Sequence, residues 1–178
     1  DVEDVLRKIE EIIRRVLEEI KTVLDEIRKN NEKLKEDVDR VLAEIEKDSE
    51  DLKRKIKDIE DLIRELDEST DRVRKLAKRI KEKSEKSLRD AERLVKRLEE
   101  ELKRILEEVE DLVRKKKESG ELAETILRRV EELVEEIRRR LKEILDRDHE
   151  LSKRLKEELK KILDDNHKLS RDAAERAR

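Results

Sequence analysis

Cysteine, proline, methionine and all three aromatic residue types are absent from this 178-residue chain, and glycine occurs once. Glutamine is missing as well. Without cysteine there are no disulfides and no thiolate metal ligands, and the redox compartment stays open. Without aromatics there is no platform on which nucleic-acid bases can stack. A phosphate-cradling loop needs several glycines in a short motif, and a single one does not supply it. The 50 basic residues are matched by 53 acidic ones, for a net charge of −3, so no field suited to a nucleic-acid backbone is expected. No apolar run approaches the ~18 residues needed to span a bilayer, and no membrane partner is expected. Asp1 to Asp4 are mostly acidic where a secretory leader would be cationic, so no leader is expected either. The expectation is a soluble chain with no natural address, cytoplasmic on recombinant expression.

What is present is a helical alphabet: 58% of the residues are Asp, Glu, Lys or Arg and 33% are hydrophobic. Such a charge fraction goes with disorder when it comes in blocks, but here it is interleaved with periodic Leu, Ile and Val. Val2, Val5, Ile9, Ile12, Val16, Ile20, Val23 and Ile27 recur every three or four positions. The rhythm continues through Leu34, Val38, Val41, Ile45 and Leu52, and again through Ile126, Val130, Leu133, Ile137 and Leu141. This spacing lays an apolar stripe along a helix and leaves the charges on the other face. Pairs such as Glu3 with Arg7 and Glu10 with Arg14 add about 0.2–0.5 kcal/mol each on an exposed face. They read as a solvated face. No strand is expected.

The clearest turn signal is Glu118-Ser119-Gly120-Glu121, where Gly120 can close a helix in the left-handed conformation and Lys115 to Lys117 suit a helix C-terminus. The other turn has no glycine or proline to mark it. Two segments offer an Asp that can cap a following helix, Lys47 to Asp51 and Lys57 to Asp61. The scarce uncharged polar residues decide between them. Residues facing each other across an antiparallel hairpin have numbers with a constant sum. A turn at Ser119-Gly120 gives a sum of about 239, which pairs Ser87 with Ser152 and Ser69 with Ser170. A turn at Ile59-Glu60 gives about 119, which sets Asn31 beside Ser87 and Ser49 opposite Thr70. A turn at Asp48-Ser49 would leave Asn31 against Leu66.

The sequence therefore predicts one all-α domain over 1–178, an elongated up-down-up antiparallel three-helix bundle with coiled-coil-like packing. Its helices run over about 1–58, 61–118 and 122–178. Two polar levels result. The first holds Asn30, Asn31, Ser84, Ser87, His149 and Ser152; the second holds Ser49, Ser69, Thr70, Asn166, His167 and Ser170. Asn30, Ser69 and Asn166 are expected to be the outermost members. A buried polar group without a partner costs about 1–3 kcal/mol, so grouping them lets donors meet acceptors. The expected role is register, because a helix slipped by one turn would leave the members unpaired. Residues 1–27 hold twelve apolar side chains against ten in 52–80, so the Gly120 end should be the drier.

Catalytic and metal chemistry find little footing. His149 and His167 lie five helical turns apart, roughly 27 Å, and cannot share one metal ion. A lone His with Asp146 or Asp148 is a weak metal signal, and no metal or cofactor is expected. Ser152 and His149 share a helix, but no strained turn or oxyanion loop accompanies them, so no enzyme is expected. If both imidazoles were buried and neutral, stability would fall as pH drops through their ordinary value of about 6.5.

Equal idealised helices, near-exclusive use of Glu, Lys, Arg, Leu, Ile and Val, and discrete polar layers make the whole chain resemble de novo designed helical bundles with buried hydrogen-bond networks. That resemblance implies a synthetic scaffold with no natural activity and no required partner. Natural spectrin-type repeats share the architecture, but they would be expected to carry core aromatics. A second reading is a helical module that associates with itself or with a designed partner chain through the wide stripes at 1–27 and 91–113. A two-fold axis through residues 59–60 gives the same sum of about 119, so a domain-swapped homodimer pairs the same residues. An exchangeable lipid binder is a third reading, and it lacks the usual interfacial Trp or Phe.

Overall fold

The computed structural model describes residues 2–57, 59–114 and 120–177. Three helices account for nearly all of them: α1 (Val2–Lys55), α2 (Glu60–Arg114) and α3 (Gly120–Arg176). Acidic Glu3 and Asp4 open α1, Glu60 and Asp61 open α2, and Lys53, Arg54 and Lys55 close α1. Each charge complements the partial charge of the helix end it occupies. Among the described residues there is no strand.

The candidate turn at Asp48-Ser49 lies inside α1, and the chain reverses between Lys55 and Glu60 instead. α1 thus ends three residues before the expected position 58. The reversal has no glycine or proline, so the backbone is held by other means. The Ile56 N–H donates to the Leu52 carbonyl (3.1 Å) and the Ile59 N–H to the Ile56 carbonyl (3.0 Å). Below it, Leu52, Ile56, Leu62, Leu66 and Ala173 form a buried cluster flanked by Ile59, Ile63 and Leu169. Asp58, and the expected turn residues Lys115 to Ser119, lie outside the described residues. Gly120 is the first residue of α3.

The chain divides into two compact units, each built from a segment of all three helices. Unit 1 comprises Asp1–Arg28 and Leu88–Asp148. Its core is aliphatic, with Ile9, Ile13, Val16 and Ile20 of α1 against Val95, Leu98, Leu102 and Val109 of α2 and Val130, Val134 and Ile137 of α3. Most of the stripes at 1–27 and 91–113 packs here, while Leu94 stays exposed. Val5, Ile12, Leu17, Ile105 and Leu106, which border them, also pack on this cluster. Each fully buried aliphatic side chain contributes about 1.5–3 kcal/mol before entropy is subtracted.

Unit 2 comprises Lys29–Ser87 and His149–Arg178. Its ion pairs fix direction and register. Lys35–Glu85, Asp39–Lys81, Glu46–Arg74 and Lys53–Asp67 join α1 to α2, and the numbers in each pair add to 120. Lys83–Glu158 and Glu65–Arg176 join α2 to α3, and each adds to 241. Constant sums over several turns mean antiparallel neighbours, one and two residues from the sums expected from the sequence. α1 and α3 run parallel, with His167 facing Glu44 and Asp48.

Candidate functional site

All twelve residues of the expected polar levels belong to unit 2. Which of them turn inward follows from helical phase. The buried stripe of α1 passes Ile27, Asn31 and Leu34, then Ile45, Ser49 and Leu52. In α2 it passes Leu66, Thr70 and Val73, then Ile80, Ser84 and Ala91. In α3 it passes Leu141, Ile144, Asp148 and Leu155, then Ile162, Asn166 and Ala173. Polar residues therefore replace aliphatic ones at positions the core requires, in steps of three, four and seven.

In the first level, the Asn31 side-chain amide donates to the Ser84 hydroxyl, joining α1 to α2 inside the core. Ser87 and Ser152 are half-buried. Asn30, His149 and Ser152 line an open groove between α1 and α3 together with Lys33, Lys153 and Lys156. The expectation that His149 lies at a buried level is corrected: its side chain is exposed and Asp148 takes the inward position, 8% exposed. The reason is phase. Residue 148 lies seven positions from both Leu141 and Leu155, whereas 149 is turned a further ~100° around the helix.

In the second level, the Thr70 and Ser49 hydroxyls lie 3.2 Å apart in the core, and Thr70 Oγ1 also lies 2.9 Å from the Leu66 carbonyl. A carbonyl only accepts, so the single Thr70 proton goes to Leu66 and the Ser49 hydroxyl donates to Thr70. Ser69 and Ser170 are half-buried. Asn166, expected near the outside, is buried at 5% exposure, and its Nδ2 has no hydrogen-bond partner among the described residues. Two core hydrogen bonds of the levels thus join α1 to α2, and the unpartnered amide nitrogen of Asn166 takes no part in either.

His167, one position on from Asn166, is half-buried and faces α1. Its Nε2 lies 3.6 Å from Glu44 Oε1 and 4.0 Å from Asp48 Oδ2. Neither histidine is fully buried, so the premise of an acid-induced loss of stability through neutral core imidazoles is not met. The Ser152–His149 pair shares the rim of an open groove, with His149 exposed to water.

No family model, curated protein or solved structure matches the chain. Among the described residues no helix is long and apolar enough to cross a membrane.

Three surface cations are held more firmly in their charged form by carboxylate partners. The Asp67 carboxylate bonds to Lys53 and holds its ammonium above the ordinary value of 10.5, against a lowering by burial, with Glu50 adding to the rise. The Glu19 carboxylate does the same for Arg138, through two parallel bonds of 3.0 Å. Glu46, helped by Asp71, raises Arg74. Glu44 and Asp48 were not anticipated as partners of a histidine. The register contained the signal, since the α1–α2 and α2–α3 sums set α1 and α3 about 120 residues apart, which places His167 level with position 47.

Proposed function

We propose that the chain is a structural scaffold: a designed, water-soluble three-helix bundle without a natural biochemical activity, in which buried polar pairs select helix pairing and register. The observation that carries this is the pair of core hydrogen bonds across the α1–α2 seam, Asn31 to Ser84 and Ser49 to Thr70. Both occupy stripe positions where Leu or Ile would bury more apolar area. Their value lies in discrimination. Sliding α2 by one heptad sets Asn31 level with Ala77 or Ala91, neither of which offers a side-chain partner. Each polar group so stranded costs about 1–3 kcal/mol. An all-aliphatic seam carries no such penalty, and slipped registers become competitive. The helical-module alternative draws less support, because most of the wide stripes it relies on is packed within unit 1.

The test replaces the four polar side chains together by apolar ones of similar size, Asn31→Leu, Ser49→Ala, Thr70→Val and Ser84→Ala. A register-selecting role predicts a chain at least as stable to guanidinium, but with multiple amide NMR peaks per residue or a mass above 21.5 kDa by light scattering. A single peak set at the monomer mass would refute it.

A further inference from the structure

The geometry points to a binding site for a divalent transition-metal ion of the zinc class at Glu44, Asp48 and His167. Glu44 and Asp48 stand one turn apart on α1, so their carboxylates share a face, and His167 of α3 is presented to both. The three donor atoms all lie within 4.8 Å of one another. The imidazole Nε2 is 3.6 Å from one carboxylate oxygen and 4.0 Å from the other. Both separations exceed the N–H···O range of about 2.7–3.2 Å. They come close to the donor–donor edge of a tetrahedral zinc shell, about 3.3–3.6 Å for metal–ligand bonds of about 2.0–2.2 Å. The carboxylate–carboxylate edge is at most 4.8 Å, so closing the shell takes shifts of about an ångström in side chains that are 39–48% exposed.

Donor chemistry selects the class of ion. A neutral imidazole and two carboxylates neutralise a 2+ charge. One nitrogen among three donors favours Zn2+, Co2+ or Ni2+ over Ca2+, which takes six to eight oxygens, and over Mg2+, which holds its water. Exposure leaves the fourth position to water, so binding is expected in the micromolar range. The structural effect is specific. The hydroxyl pair at the neighbouring level ties α1 to α2, whereas an ion here ties α1 to α3. The carboxylates stand on α1 and the imidazole on α3, so no spacing within one helix marks the triad.

The experiment is isothermal titration of the metal-stripped, tag-free full chain with ZnCl2, together with Co2+ absorption to read the coordination number. The expected result is one ion per chain with a four-coordinate Co2+ spectrum and affinity unchanged in His149→Ala. His167→Ala, and separately Glu44→Gln with Asp48→Asn, should lose more than about tenfold, as is usual when a coordination shell is disturbed. These positions are partly exposed, so the variants should keep the parent helical circular dichroism, which is recorded alongside. No binding at millimolar Zn2+ would overturn the site. Full retention of affinity in His167→Ala, or competition by Mg2+ on equal terms, would also overturn it.

Discussion

Substituting Asn166 by Leu should stabilise the protein, although the residue is one of the scarce polar groups of the core. Asn and Leu have the same number of side-chain heavy atoms and the same branch point, so the exchange conserves shape and creates neither a cavity nor gross overpacking. Asn166 is 5% exposed and its Nδ2 is buried without a partner, so it bears an uncompensated desolvation penalty of about 1–3 kcal/mol. Leu removes that penalty, for an expected gain of about 1–3 kcal/mol, or roughly 2–4 °C in Tm per kcal/mol for a chain of this size. The same substitution at Asn31 is the internal control. It gains a similar apolar side chain, but it strands the Ser84 hydroxyl that Asn31 now engages. Its gain should therefore be smaller by about the cost of one unpaired buried group, 1–3 kcal/mol. Guanidinium denaturation, followed by circular dichroism at constant m, gives both numbers. A loss of stability in Asn166→Leu, or an equal or larger gain in Asn31→Leu, would refute the assignment of Asn166 as the unsatisfied member.

Two further outcomes follow from the same geometry. His149→Ala should change stability by less than about 0.5 kcal/mol in the same denaturation assay, as for an exposed surface position, and a loss several times larger would return the residue to the core. The Lys53 pKa is raised by its bond to Asp67, so its folded-state contribution is complete below 10.5 and declines as pH rises through the higher folded value. Lys53→Met should accordingly flatten the fall of the denaturation midpoint above about pH 10.5, and parallel pH curves for parent and variant would contradict this.

Architecture and register were legible in the sequence because both follow from periodicity. The sums of about 119 and 239 drawn from fifteen polar residues sit beside the 120 and 241 measured through ion pairs of entirely different residues. Orientation at single positions was less legible, and the misjudged ones share a cause. At 148–149 and at 166–167 two polar residues stand side by side, and residue type suggested His149 as the inward member and Asn166 as an outer one. Phase decides it the other way, since 148 and 166 continue the stripe set by Leu141, Leu155, Leu159 and Ala173. The carboxylates facing His167 were hidden for a different reason. Among 53 acidic side chains nothing marks Glu44 or Asp48 until α1 and α3 are set side by side.

The corner between Lys55 and Glu60 is made of residues that would readily continue a helix, and it is held shut by the burial of Ile56, Leu62 and their neighbours. Chain reversal there is thus an equilibrium preference with no stiffness written into the backbone. Whatever weakens the aversion of hydrocarbon for water, such as cooling or chaotropes, loosens the bend itself as well as the core beneath it.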